Sequence, residues 1–95
     1  MLSFTVRMTF DQADRDAVHE ILCRLSAASR AESGCVSYIP HFVEGEPCTV
    51  LIYEQYADQA ALDHHRATPH FHQDAIGGLY QKMKERCLEN LSAIC

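Results

Sequence analysis

The sequence predicts an α+β fold of the ferredoxin-like type, a split β-α-β-β-α-β plan around a four-stranded antiparallel sheet. Three observations predict it. Residues 2–10 alternate apolar and polar, as a strand with one buried face does. Val18, Ile21, Leu22, Leu25 and Ala28 then recur at helical spacing. Two runs rich in β-formers flank the turn residues Glu44-Gly45-Glu46-Pro47 before the chain becomes helical again.

Taken in order, Leu2, Phe4, Val6, Met8 and Phe10 alternate with Ser3, Thr5, Arg7 and Thr9 to give the first strand. Asp11 is placed to cap the helix that follows, with Asp14 favoured in its first turn by the helix dipole. Gly34 stands where a left-handed residue would end that helix. Cys35–Val43 reads as the second strand. Pro40 cannot donate to a sheet ladder, so this strand is an edge or is bulged there. Residues 48–56 form the third strand. Asp58 caps the next helix, Thr68-Pro69 starts another, and Gly77-Gly78 separates a short third. Residues 87–94 supply the last strand.

The third strand carries a further message. Val50 and Ile52 point to one face and Leu51 and Tyr53 to the other, so both faces of the sheet ask for cover. A sheet with helices on one side alone has a polar outer face. A second copy of the chain is the natural cover, which predicts a homodimer.

Composition narrows the function. Ninety-five residues make one domain, here placed at 2–93. A net charge of -5 with no basic run argues against nucleic acid and anionic membranes as partners. No stretch is apolar enough to span a membrane, and the N-terminal run lacks a signal-peptide pattern, so a cytoplasmic protein is expected. Five cysteines without paired spacing read as reduced thiols. The four glycines show no phosphate-loop or dinucleotide spacing, so no nucleotide or flavin cofactor is expected.

Four of the six histidines, His64, His65, His70 and His72, fall within nine positions. Such a cluster suits proton exchange near neutral pH. It does not suit a metal: Thr68-Pro69 breaks the helical register, and no carboxylate sits at ligand spacing. His64 and His72 are expected to face solvent.

Glu32-Ser33-Gly34-Cys35, the strand end Tyr53-Glu54-Gln55-Tyr56, the run Ala61-Leu62-Asp63-His64-His65 and Thr68-Pro69-His70-Phe71 together resemble the antibiotic biosynthesis monooxygenase family. The resemblance implies dimers whose sheets pack face to face as an α/β barrel, with a pocket between sheet and helices. It implies cofactor-independent oxygenation by dioxygen of a quinol or related aromatic phenol. His65 and His70 match the family's histidines and are the candidate catalytic proton acceptors. Glu54 matches its glutamate, and Tyr56 stands where a Trp is frequent. Tyr56, Glu54, Tyr38 and Phe71 are the candidate substrate-binding residues. Haem-opening relatives use an Asn on the first strand and a Trp after the third; this chain has no Trp, and its only Asn is Asn90. An isomerase of a small phosphorylated hydroxy-ketone would need a basic contact, for which Arg66 and Arg7 are the candidates. A non-catalytic dimeric module that binds small aromatics is the alternative outside enzymology.

Overall fold

A computed structural model describes residues 1–95. Four strands, β1 (Leu2–Thr9), β2 (Cys35–Val43), β3 (Glu46–Tyr56) and β4 (Glu85–Leu91), form one sheet in the order β2-β3-β1-β4. Every neighbouring pair is antiparallel. The ferredoxin-like α+β plan expected from the sequence is therefore present. β2 lies at the edge, and Pro40 sits opposite Ile52 on this outer strand, where a residue that cannot donate is tolerated.

α1 (Arg15–Arg30) and α2 (Gln59–Ala67) pack on one face of the sheet, followed by α3, a helical stretch over residues 69–82. The apolar stripe of α1 buries Val18, Ile21, Leu22 and Leu25 against Phe4, Val6, Met8, Val50 and Ile52, the inward set of β1 and β3. Asp58 caps α2 as expected, its Oδ1 accepting from the Ala61 amide at 2.8 Å. No helix is long and apolar enough to cross a membrane.

Five local expectations need correction. Asp11 does not cap α1 with its side chain; a 3₁₀ turn (Gln12–Asp14) intervenes, and the Asp11 carboxylate pairs with Lys84 at 2.6 Å. Gly34 is not left-handed, since only Gly45 has a positive φ, +80°. Gly34 is needed for space instead: a Cβ there would lie 2.4 Å from the Ala61 Cβ. The β2–β3 turn contains Glu44-Gly45 alone, because Glu46 and Pro47 already belong to β3. Gly77-Gly78 does not break the last helix. Phe71–Leu79 winds continuously as a π-helix into Tyr80–Lys82, and Gly78 lets Ile21 approach to within 3.2 Å of where a Cβ would stand. The last strand also begins and ends earlier than residues 87–94.

Candidate functional site

β3 alternation points Glu54 and Tyr56 to the same side as Val50 and Ile52, under the helices. Both are buried, and the Tyr56 hydroxyl donates to Glu54 Oε1 at 2.7 Å. Burial pushes the Glu54 carboxyl up to about 7, against the Tyr56 hydrogen bond and the charges of Arg66 and Arg86. The same burial, with Glu54 beside it, raises the Tyr56 hydroxyl far out of the physiological range.

His65 sits in the last turn of α2 and is 2% exposed. Its ring lies among Tyr38, Tyr56 and Phe71, with centroids 5.8, 5.1 and 5.2 Å away. Thr68 fixes the junction to α3, donating to the His65 carbonyl at 2.7 Å and accepting from the Phe71 amide at 3.3 Å. Thr68 is thus the cap that the Thr68-Pro69 pair promised.

The group that organises the histidines is Glu32, in the loop after α1. Its Oε2 takes His65 Nδ1 at 2.9 Å and also reaches His70 Nε2. The absence of a side chain at Gly34 allows this, since it lets the Glu32 loop seat directly on α2. A carboxylate only accepts, so His65 donates through Nδ1 and keeps a lone pair on Nε2. That nitrogen lies 3.9 Å from Glu54 Oε1. Burial lowers the His65 pKa, and the hydrogen bond and charge of Glu32 oppose the shift, so His65 is neutral at pH 7.

A cleft opens between the sheet and the helices. Phe4, Val6, Met8 and Ile52 floor it, and Phe71, Ala75, Leu79 and Tyr80 of α3 cover it. Tyr38, Glu54, His65, Arg66 and Arg86 supply its polar groups. Of the residues singled out in the sequence, His65, Glu54, Tyr38 and Phe71 therefore meet at one cleft. His70 does not line it and stands behind Glu32. Tyr56 does not line it either; it is fully buried, stacked on Phe4 at 6.0 Å, and supports Glu54 from below. His64 and His72 are exposed, as expected. Arg7 is paired with Glu46, away from the cleft.

Glu32, His65 and His70 place three potential ligand atoms within 4.8 Å of one another and are the only such group in the chain. Linear spacing did not show this cluster, because Glu32 lies 33 residues before His65. Each donor is already engaged in hydrogen bonds. The Cys35 thiol is half-buried, and burial together with Glu32 and Glu54 raises its pKa, the opposite of an activated thiolate. Sequence reasoning missed two residues. Glu32 was visible within the Glu-Ser-Gly-Cys motif but had no assigned partner, and nothing in the linear pattern marked Arg86.

The comparisons place the chain in a family and agree with the fold. The family model described as antibiotic biosynthesis monooxygenase matches residues 1–74. "Uncharacterized protein sll1783" of Synechocystis is 44% identical over 45 residues, 47% of this chain and 31% of that protein. Rv0793 of Mycobacterium tuberculosis is 33% identical over 57 residues, 60% of this chain and 55% of that protein. The matched stretches thus span less than two thirds of either relative. Among solved structures, PA3566 of Pseudomonas aeruginosa superposes with a TM-score of 0.90 at 28% identity, covering 99% of this chain and 94% of that one. The structure of Rv0793 gives 0.88 at 22% identity, over 99% and 95%, which speaks for the fold alone. With the family model matching well over half its length, the chain belongs to the antibiotic biosynthesis monooxygenase family.

Proposed function

We propose that the protein is a cofactor-independent monooxygenase acting on a quinol or related phenol with dioxygen, and that His65 rather than His70 is the proton acceptor. One observation carries the reading: a buried, neutral histidine lines an apolar cleft with Nε2 free while Glu32 holds Nδ1. This arrangement orients a general base. The phenolic hydroxyl gives its proton to His65 Nε2, and the phenolate passes an electron to dioxygen. The two radicals combine at a ring carbon as a peroxide. The proton returns to the peroxide, the O–O bond breaks with loss of the ring hydrogen, and a carbonyl and water result. The protein's part is a dry cleft, a positioned base and polar groups near the developing charge.

Oxygen uptake with small hydroquinones tests this. His65→Ala is expected to slow turnover by about 10²- to 10⁴-fold, the usual worth of a positioned base. His70→Ala is expected to cost less, with both variants folded by circular dichroism. Variants that oxidise like wild type, or a wild type no faster than spontaneous oxidation, would leave the non-catalytic module as the reading.

The same reading includes a homodimer. Outward positions of the sheet carry Leu51 and Tyr53, half-buried, and Ile39, 43% exposed, with no helix over them. Sedimentation at micromolar concentration is expected to show a dimer; a well-folded monomer would refute it.

A further inference from the structure

The chain holds eight Lys and Arg against thirteen Asp and Glu, so every cation has carboxylates to choose from. Four take one: Arg7 pairs with Glu46, Arg24 with Asp74, Lys82 with Asp14 and Lys84 with Asp11. Arg15 donates to the Pro47 carbonyl and Arg30 to the Tyr38 carbonyl, each at 2.9 Å. The remaining two, Arg66 and Arg86, have neither carboxylate nor carbonyl partner, and both line the cleft that holds His65. They come from different elements, α2 and β4, and Arg86 is further fixed by lying over the Tyr80 ring at 5.6 Å from its centroid. Glu54, on whose carboxyl both charges act, is the one carboxylate in the lining, so two exposed guanidiniums against it leave a local positive site in a negative field.

We infer that the cleft takes a small molecule bearing an oxyanion, with the anionic head group at Arg66 and Arg86 and the ring or chain on the apolar floor toward His65. The planar guanidinium fork matches carboxylate and phosphate oxygens alike. Joined to the reading above, on which it rests for the identity of the cleft, it makes the substrate a phenol carrying an acidic group. Arg66 replaces Arg7 as the basic contact considered for a phosphorylated substrate, with Arg86 as its partner.

Calorimetric titration with three probes tests the inference: hydroquinone, 2,5-dihydroxybenzoate and 4-hydroxyphenyl phosphate. At least one anionic probe is expected to bind about tenfold or more tightly than hydroquinone, a single charged hydrogen bond being worth that much. The gap should close in the Arg66→Gln/Arg86→Gln double variant and persist in Lys84→Gln. The tighter anionic probe identifies the head group. Equal affinity for all three probes, no binding of any, or a gap that survives in the double variant would overturn it. So would a double variant that loses the dimer while keeping its affinities, since the arginines would then serve subunit contact. Affinity is read independently of oxidation. An arginine-dependent ligand that consumes no oxygen would defeat the monooxygenase reading alone, and oxidation of hydroquinone without anion preference would defeat this one alone.

Discussion

Two clefts lie under the helices of this protein, and they are furnished alike and built differently. The second, between α1 and the β2–β3 edge, is lined by His19, Cys23, Ser26, Arg30, His41 and Phe42 among others. It is by far the roomier, about 340 Å³ against about 30 Å³, so a ring entering the first must displace side chains at its mouth. It too holds histidines, yet His19 and His41 are exposed; the first meets the Cys23 sulfur at 3.9 Å and stacks on one ring, Phe42, and the second bonds the Leu51 carbonyl, with no carboxylate holding either. In the first cleft, His65 is caged by three aromatic rings and held by a carboxylate whose own side chain is 5% exposed. A free histidine samples rotamers and must be ordered at each turnover, whereas a caged one has met that cost in folding. Room does not make a site; bracing does.

The contrast breaks first, if it is mistaken, in kinetics. His65→Ala should cost about 3–5 kcal/mol of transition-state stabilisation, while His41→Ala should leave oxygen uptake within a factor of about two. Equal losses from both would show that bracing is irrelevant. A second comparison uses pH. Between pH 4.5 and about 7, unfolded Glu54 is ionised while folded Glu54 keeps its proton. The folded state then binds more protons, so stability falls as pH rises through that window and levels off above it. At about 1.4 kcal/mol per pH unit this amounts to about 3 kcal/mol. His65, whose pKa is lowered, acts the other way: its part is kept above the unfolded value of 6.5 and lost as pH falls below it. Urea titrations of wild type and Glu54→Gln at pH 5 and pH 8 separate the two, because the fall toward pH 8 should vanish in the variant.

The smallest effect sharpens the comparison by loosening the brace itself. Gly34→Ala places a methyl 2.4 Å from the Ala61 Cβ, and relief must come from moving α2 or the Glu32 loop. About 1–3 kcal/mol of stability is expected to go, with activity falling further than stability alone explains. A variant as stable and as active as wild type would show that the close seat of the loop is unimportant.

What the sequence disclosed follows the range of the interactions. β1, the stripe of α1, the Asp58 cap and the Thr68-Pro69 start are each written within a few residues, and each appears where expected. The continuous last helix was missed because Gly77-Gly78 reads as a break, when Gly78 instead serves the packing of Ile21. The site was half legible. Glu54 and His65 were found by resemblance, but the bond that orients His65 joins the end of α2 to a loop 33 positions earlier. Arg86 sits in a strand whose only local signal is modest β-propensity, so its place at the cleft with Arg66 depends on the sheet order, which sets β4 beside β1.

The π-winding of Phe71–Leu79 has a consequence for how this gene can change. Backbone bonds there reach five residues back rather than four, so the stretch holds more chain than an α-helix of equal rise would need. Loss of one codon within it can be taken up by tighter winding while both ends stay in place. In α1 the same loss would turn every following side chain by about 100° and carry Ile21, Leu22 and Leu25 off the core. Among relatives, single-residue gaps are therefore expected to collect between Phe71 and Leu79 and to spare α1.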